Sequence, residues 1–477
     1  MHKKQNILLW LMLVLMGLSG CGTGSVSQNS LLAGDQSKEK KGMATLSVFL
    51  HLDDSQGKPL WMRLDSIEIT GEEGNHFLQA DPVEVQSNKI EQGQLFLGRQ
   101  SVPIGRYQGL SFSIAKAALL VKGQKTMLAL DTPNIDLKLT GDLYLRQGDS
   151  LSLFVTWDTT QSLMGTALFS PALTATIQDI PLATDLAYIS CPDIDTLYVI
   201  RTDLNRVCGS LGIAGRPSSL SVHPAQNRLF VLSRKQATIK VIELSSNRLV
   251  DEIKIPMMLK PDKMVTSPDG EWAYVIESRR DLMVRVDLDK GGLSGHTTLS
   301  GKRPHFLTYL ADQKMLAVSA EHSQKITLLD PVTLNETYYI GVGNGAEGVL
   351  QFNNSLYVAE RKTNTISAYL LPSGVKQGRL TVGSGPVRLA SAENGWYIFA
   401  TSHDAGEIAI IRPGQYNVIK EIDVGGAPRN MAFDGQRKWL YVTDEKEGGI
   451  IVIDLSTLRV VHRISLGAIP DELVTLK

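Results

Sequence analysis

Trp439-Leu440-Tyr441-Val442-Thr443-Asp444 is an apolar strand with an aromatic centre, and related stretches recur along the chain. The copies follow one another at about 40 to 44 residues, a spacing typical of the four-stranded blades of β-propellers. Each copy has a short apolar core at its second strand. These cores are Leu229-Phe230-Val231, Ala273-Tyr274-Val275, Leu316-Ala317-Val318, Leu356-Tyr357-Val358, Ile398-Phe399-Ala400 and Leu440-Tyr441-Val442.

One residue, proline in six of the seven copies, stands just before the first strand of each copy, and we call it the marker residue. The markers are Pro217, Pro261, Pro304, Ala346, Pro386, Pro428 and Pro470. The chain enters the repeats with a second strand (residues 185–191) and finishes with a first strand (residues 471–477). We therefore predict an all-β fold with a seven-bladed β-propeller over residues 179–477. The C-terminal strand completes the N-terminal blade, because closure removes an open sheet edge that would otherwise aggregate.

Tyr441-Val442-Thr443-Asp444, followed by Ile451-Val452-Ile453-Asp454 and Ile464-Ser465-Leu466-Gly467, resembles the YVTN-repeat (YncE-like) seven-bladed propellers. The resemblance implies a fold more than an activity, since the family's motif residues are mostly blade core. Large aromatic residues in these strands are accordingly expected to pack between blades. They are Trp272, Tyr274, Tyr357, Trp396, Trp439 and Tyr441.

The N-terminus predicts export. Lys3 and Lys4 precede an apolar run of about ten residues, which is the length of a signal-peptide core and too short to span a bilayer. Leu18-Ser19-Gly20-Cys21 resembles the bacterial lipobox, so residues 1–20 are a predicted signal peptide and Cys21 a lipidated first residue. Residues 21–43 read as a flexible tether. We expect anchoring in the cell envelope, at the outer membrane if the host is Gram-negative, because Gly22 is not Asp.

Residues 44–178 are predicted to form a β-sandwich of some seven or eight strands. Leu46, Val48, Leu50 and Leu52 recur with a period of two, which places one face of a strand in a core. Short strands punctuated by Gly and Pro are expected to follow. This region resembles an uncharacterised domain found at the front of bacterial lipoproteins, and the resemblance implies no chemistry.

Composition narrows the function. Net charge is −1, with 20% charged and 43% hydrophobic residues, so the chain shows no sign of nucleic-acid binding. Nine His are scattered without metal-ligand spacing, and no haem or phosphate-loop motif is present, so we expect no metal or cofactor. In an oxidising compartment, counting alone would pair Cys191 with Cys208, but they fall on the second and fourth strands of one blade, and the strand between them favours two free thiols.

The loops at one face of the propeller carry the binding prediction. This top face is where first strands begin and second strands end, and its charges recur around the channel, with arginines suited to carboxylates. The same loops contain Glu347, Asp404 and Glu445. The predicted binding residues are Arg279, Arg303, His305, Glu321, His322, Glu360, Arg361, Arg388, His403, Arg429 and Asp444.

Two functions remain open. The favoured one is a non-enzymatic, membrane-anchored binding or scaffold module for a protein, peptide or glycan. The alternative is a hydrolase, because Gly426-Ala427-Pro428-Arg429-Asn430 looks like one blade of the propeller lactonases. Those enzymes have His where this chain has Asn430, which leaves the general base in doubt, although His305 is expected in the equivalent position of another blade.

Overall fold

The computed structural model describes residues 42–53, 57–72, 74–90, 93–181, 185–223, 225–391, 395–434 and 438–476. The predicted signal peptide, the lipidation residue Cys21 and nearly all of the predicted tether lie outside these residues. Residues 42–477 form one compact unit. No helix in the described residues is long and apolar enough to cross a membrane.

In the described part of the chain, twelve strands precede the repeats and join through hydrogen bonds into one sheet network around one hydrophobic core. The region is all-β, as predicted, but it has more strands than expected, and several are long; its division into two sandwich layers stays a prediction. The strands are β1 Met43–Leu52, β2 Leu60–Gly71, β3 Gly74–Gln79, β4 Val83–Gln86, β5 Leu95–Pro103, β6 Gly105–Val121, β7 Gln124–Leu130, β8 Asn134–Leu145, β9 Ser150–Asp158, β10 Leu163–Met164, β11 Leu168–Phe169 and β12 Ala172–Ile177, with a 3₁₀ turn at Ser87–Lys89.

Seven four-stranded antiparallel sheets follow, which confirms the seven-bladed propeller. We number the blades 1 to 7 in chain order. Blade 1 contains β13 Leu186–Cys191, β14 Thr196–Arg201 and β15 Arg206–Gly212; blade 2, β16 Pro217–Val222, β17 Arg228–Ser233, β18 Thr238–Glu243 and β19 Arg248–Lys254; blade 3, β20 Lys263–Thr266, β21 Trp272–Glu277, β22 Leu282–Asp287 and β23 Gly292–Thr298; blade 4, β24 Pro304–Leu310, β25 Met315–Ala320, β26 Lys325–Leu329 and β27 Glu336–Gly341.

The remaining blades have the same layout. Blade 5 contains β28 Ala346–Phe352, β29 Ser355–Glu360, β30 Thr365–Leu370 and β31 Val375–Thr381; blade 6, β32 Pro386–Ser391, β33 Ile398–Ser402, β34 Glu407–Ile411 and β35 Val418–Asp423; blade 7, β36 Pro428–Phe433, β37 Trp439–Asp444, β38 Gly449–Asp454 and β39 Arg459–Ser465; the last strand is β40 Leu473–Thr475, and 3₁₀ turns lie at Pro192–Ile194 and Arg361–Thr363.

The ring closes as predicted. β40 pairs antiparallel with β13 and becomes the innermost strand of blade 1, in the order β15-β14-β13-β40. It also contacts the innermost strands of blades 7 and 2, β36 and β16. Because β40 occupies the free edge of β13, blade 1 is built from both ends of the repeat region.

Second-strand tyrosines join neighbouring blades. Tyr441 is fully buried, and its hydroxyl donates to Asn205 Oδ1 of blade 1. Tyr188 of blade 1 makes the same kind of bond to Asn247 of blade 2. Tyr357 accepts the Gly414 N–H of blade 6 at 3.0 Å. These contacts confirm the prediction of packing between blades, because each ring crosses a blade interface and its hydroxyl finds a partner there.

Trp396 contradicts that prediction, since 66% of it is exposed. The register explains the error: the residue equivalent to Trp439 and Trp272 in blade 6 is Tyr397, which comes directly before Ile398. A slip of one residue along a strand turns the side chain to the opposite side. Trp396 therefore belongs to the turn, not to the blade core.

The sheet region docks on blade 1. Phe49 of β1 is fully buried, with its ring centroid 5.8 Å from Phe154 of β9 and 5.9 Å from Tyr198 of β14. Ser47 reaches the Tyr198 hydroxyl at 2.9 Å, and Ser152 reaches Ser210 of β15 at 2.9 Å. Both faces of β1 are thus covered, one by the core of its own sheet and the other by the propeller.

The two cysteines of blade 1 are free thiols. Cys191 ends β13 and Cys208 lies in β15, with β14 between them. Burial raises the pKa of the Cys208 thiol to about 12, which keeps it protonated at neutral pH.

Candidate functional site

Irregular strand pairing shapes the top face. In five blades the first strand has a β-bulge just after the marker residue. At the bulge, the first strand contains one residue more than the second strand with which it pairs. A bulge redirects the side chains beside it, and such irregularities recur next to functional sites. In the seven blades, the residues directly after the marker are Ser218, Asp262, His305, Glu347, Val387, Arg429 and Asp471.

Four blades share a chain of ion pairs at this face, which we call the ion network. Glu347 of blade 5 lies at one end, where its Oε2 is 3.2 Å from His305 Nε2 of blade 4 and 3.5 Å from Arg388 Nη1 of blade 6. Its other oxygen, Oε1, is 3.9 Å from Arg361 Nη1. One carboxylate therefore joins basic groups from three blades.

The network continues from Arg361 to blade 7. Arg361 Nη2 and His403 Nδ1 each lie 2.8 Å from Asp404 Oδ1. His403 Nε2 lies 3.1 Å from Glu445 Oε2, and Arg429 Nη1 lies 3.2 Å from Glu445 Oε1. Positive and negative groups thus alternate from blade 4 to blade 7.

A cavity of about 530 Å³ opens onto the network. Two buried nitrogen atoms beside it, Arg429 Nε and His305 Nδ1, have neither a hydrogen-bond nor an ion-pair partner within the described residues. Such atoms are costly to bury unsatisfied, and each is an available contact for a ligand. The cavity is lined by His305, Glu321, Gly345, Ala346, Glu347, Arg361, Lys362, Asp404 and Arg429.

The charges fix the ionisation of the site. Burial alone would raise the pKa of Glu347, but the hydrogen bond from His305 and the charges of His305, Arg388 and Arg429 together lower it to about 2. Burial likewise opposes ionisation of Glu445, yet its contacts with His403 and Arg429 lower its pKa. The carboxylates of the network are therefore charged at neutral pH.

The pKa of Asp471, which lies just before β40, shifts in the opposite direction. Burial and the neighbouring Glu472 raise its pKa, although Lys263 and Arg429 oppose the shift. Burial also lowers the pKa of Arg388, whose guanidinium lies 4.6 Å over the ring of Phe306. Burial therefore opposes the charged form of both Asp471 and Arg388.

The structure separates the predicted binding residues into groups. His305, Glu321, Arg361 and Arg429 line the cavity. Arg388 and His403 belong to the network beside it. Arg303 contacts Glu321 at 3.3 Å on the outer edge. Arg279 and His322 are exposed and have no partner within the described residues.

Glu360 and Asp444 are buried, and Asp444 lies beside a separate cavity lined by residues of blade 7. Glu360 accepts bonds from the Gly343 N–H at 2.7 Å and from the Thr365 hydroxyl at 2.8 Å. Asp444 accepts from the N–H groups of Ala427 and Lys446 at 2.9 and 3.1 Å. Both residues end a second strand and stabilise the following turns, a local role that loop position alone does not reveal.

Except for Arg388, the second residue after each marker was not among the predicted binding residues. In blade 4 this is Phe306, which lies under Arg388, and in blade 7 it is Asn430, whose Oδ1 accepts from Arg388 Nε at 3.2 Å. Lys263 of blade 3 pairs with Glu472 of blade 1. Counting from the marker in every blade would have aligned these residues.

The alignment of the blades also corrects one detail of the lactonase alternative, the position of His305. His305 follows its marker by one residue and so aligns with Arg429, whereas Phe306 aligns with Asn430. The prediction that His305 occupies the equivalent position is therefore wrong. Asn430 is buried and donates to the backbone oxygen of Asp471, which is a structural contact. No cluster in the described residues has a metal-binding arrangement.

His403 provides a pH test of the network. Its hydrogen bonds with Glu445 and Asp404 outweigh burial and raise its pKa above 6.5. Stabilisation from the charged imidazole is complete below pH 6.5 and is lost as the pH rises through the folded-state pKa. We expect His403→Asn to lower the melting temperature more at pH 6 than at pH 8.5. The exposed His322→Asn is the control; an equal loss for His403→Asn at both pH values would contradict the assignment.

Comparisons with known proteins support the fold of this chain and give no information on its activity. No protein family model matches the chain, and no curated protein is similar to it in sequence. Its structure is similar to that of a functionally unknown protein from Desulfotomaculum acetoxidans DSM 771, at 12% identity and a TM-score of 0.54, over 61% of this chain and 98% of that one.

Two further structures are similar at lower TM-scores. A dihydro-heme d1 dehydrogenase, NirN, solved in complex with DHE, matches at 14% identity and a TM-score of 0.49, over 60% of this chain, which spans 65% of that protein's length. Hydrazine synthase of Kuenenia stuttgartiensis matches at 17% identity and a TM-score of 0.47, over 54% of this chain and 88% of that one. At these identities no activity is transferred to this chain.

Proposed function

We propose that this protein is a lipid-anchored envelope lipoprotein of the YVTN-repeat type, whose propeller binds a peptide carrying both acidic and basic groups in its top-face cavity. The observation that carries the proposal is the ion network, in which charges of both signs from four blades surround one cavity. A propeller fold suits such a role, because its blades bring loops distant in sequence to one rim.

The cavity chemistry favours a ligand of mixed charge. Arg429 and Arg361 offer forked donors that match carboxylates, while Glu321 and Asp404 lie at the same cavity and accept from ammonium or guanidinium groups. A volume of about 530 Å³ falls within the usual range for small ligands, so a short peptide segment fits better than a whole domain.

The anchoring half of the proposal rests on the sequence. Cys21 follows a short apolar run and a lipobox-like Leu18-Ser19-Gly20, and residues 21–43 have the composition of a spacer. Two or three acyl chains on one cysteine give stable membrane attachment. The propeller is then held near the membrane, where envelope peptides are its available ligands.

Binding of free tripeptides tests the cavity. Immobilised protein is mixed with a tripeptide library, and the retained species are identified by mass spectrometry. We expect tripeptides with one acidic and one basic side chain to be enriched. Arg361→Gln should weaken their binding by about tenfold or more, because a charge-assisted hydrogen bond contributes about 1.5–3 kcal/mol.

Arg279→Gln is the matched control, since Arg279 lies on the same face but not at the cavity. Its binding should equal that of the unaltered protein. Equal retention by the Arg361 and Arg279 variants, or no enrichment of charged tripeptides, would remove the support for the cavity as a peptide site.

A further inference from the structure

Trp396 breaks the repeat pattern at one position of the propeller. The residue two before the apolar core of each second strand is polar in the other six blades, and in blade 6 it is Trp396. Those six residues are Asp185, Asn227, Glu271, Lys314, Asn354 and Lys438. Trp396 is largely exposed, so its indole buries little apolar surface on folding, at a turn position that is polar in the other blades.

The tryptophan borders a cavity on the face opposite to the ion network. Antiparallel pairing places the ends of β28 and β34 and the starts of β29 and β33 on this bottom face. The cavity measures about 670 Å³, which exceeds that of the top-face cavity. It is lined by Phe352, Asn353, Ser355, Tyr357, Gln377, Gly395, Trp396, Arg412, Pro413, Gly414 and Tyr416, from blades 5 and 6.

Two aromatic rings of this cavity pack closely against glycines. A Cβ at Gly378 would lie 2.3 Å from the Tyr416 ring, so the ring rests directly on the backbone of β31. A Cβ at Gly395 would lie 3.1 Å from Phe352, and Gly395 also has a φ of +65°, which favours glycine. These contacts restrict each ring on one side, which lowers the entropy cost of binding a ligand against it.

Polar groups of the same cavity are available. Ser355 donates to Gln377 Oε1 at 2.7 Å, which orients the Gln377 amide. Within the described residues, the Gln377 amide nitrogen, the Asn353 amide and the Arg412 guanidinium have no hydrogen-bond partner. Among the described residues, the lining contains no carboxylate. The described lining thus combines aromatic faces with hydrogen-bond donors.

We propose that this bottom-face cavity is a glycan-binding site, with Trp396 as its stacking platform. A pyranose ring presents polarised C–H groups on one face, which the negative face of an indole attracts, and hydroxyls at its edge, which amides and guanidinium bind. A purely apolar ligand would leave the donors unsatisfied, and a cationic one would meet Arg412. The site is independent of the peptide cavity on the other face.

The test uses the full chain and three neutral hexasaccharides: maltohexaose, cellohexaose and chitohexaose. Acrylamide quenching of tryptophan fluorescence is the readout, since Trp61 and Trp157 are buried and Trp396 is the most exposed tryptophan of the described residues. We expect at least one hexasaccharide to shield Trp396 with millimolar or tighter affinity. Trp396→Lys, the residue type found at this turn in blade 7, should weaken binding by about tenfold or more.

Three controls separate the outcomes. Lys438→Ala, at the same turn position of blade 7, and Arg361→Gln, on the top face, should leave hexasaccharide binding unchanged. Gln377→Ala should weaken binding without altering the exposed tryptophan. The proposal is overturned if no hexasaccharide binds, if Trp396→Lys binds as tightly as the unaltered protein, or if the cavity takes only apolar peptides.

Discussion

Removal of residues 471–477 should abolish cooperative folding of the propeller. The deleted segment contains β40, which pairs with β13 through Ile189 and Leu473, Tyr188 and Val474, and Ala187 and Thr475. Its loss exposes the edge of β13 and uncovers the buried core around Leu473. It also leaves polar groups of blades 3 and 7 without partners.

These lost contacts reach beyond blade 1. The Asn430 side chain donates to the Asp471 oxygen, the Thr475 hydroxyl donates to the Phe433 oxygen, and Lys263 pairs with Glu472. A buried polar group left unpaired costs about 1–3 kcal/mol, and loss of a buried leucine side chain costs about 2–5 kcal/mol. The sum is comparable with the whole stability of a typical domain, about 5–15 kcal/mol.

Circular dichroism and urea unfolding measure this effect. The truncated chain should lose its unfolding transition or precipitate, whereas Leu473→Ala should still fold with stability lowered by about 2–5 kcal/mol. A synthetic peptide of residues 469–477 added during refolding should restore part of the transition. A truncated chain that unfolds at the same urea concentration as the intact one would show that closure by β40 contributes nothing.

Phe49→Ala should destabilise the protein by about 3–5 kcal/mol, the usual range for removing a buried aromatic ring. Phe49 is surrounded by Phe96, Phe154 and Tyr198 at centroid distances of 5.5 to 5.9 Å. The ring fills the contact between the sheet region and blade 1, so its loss weakens their coupling as well as the total stability.

Denaturant unfolding followed by two probes distinguishes these effects. Intact protein should give coincident transitions by near-UV and far-UV circular dichroism, whereas Phe49→Ala should give an earlier and broader one, with the two probes separated. Phe77→Ala is the control, because Phe77 is 53% exposed and its loss should change stability by less than about 0.5 kcal/mol. A Phe49→Ala variant as stable as Phe77→Ala would contradict the docked arrangement.

The propeller was predictable from the sequence because every blade repeats the same pattern of strands and turns. Each second strand places an aliphatic or aromatic core between blades, and the strand missing at one end of the repeats appears at the other. The docking of the sheet region was not predicted, although β1 carried a signal for it. Phe49 interrupts the otherwise polar face of Thr45, Ser47 and His51. An apolar residue on a face expected to meet solvent indicates a second contact.

The sequence predicted which residues lie on the binding face, but not which contacts each of them makes there. Loop positions identified most of the residues that meet at the cavity, because antiparallel pairing assigns strand ends to faces. They did not show that Glu360 and Asp444 stabilise turns, nor that Glu347 joins three blades. Those roles depend on one-residue registers and on the bulges after the markers, which composition does not fix.

A protein with two ligand cavities on opposite faces is suited to bridging. The top face offers charges of both signs, and the bottom face offers aromatic rings with few charges. In the proposed account, the anchored propeller holds a peptide on one face and a glycan on the other.

Hydrogen–deuterium exchange with and without a retained tripeptide tests the central claim, binding at the ion network, most directly. The account predicts protection confined to the loops around Glu347, Arg361, Asp404 and Arg429, with the bottom-face turn at Trp396 unchanged. Protection should be absent in Arg361→Gln and present in Arg279→Gln. Protection elsewhere on the propeller, or none at a saturating tripeptide concentration, would contradict the assignment of the top-face cavity as the binding site.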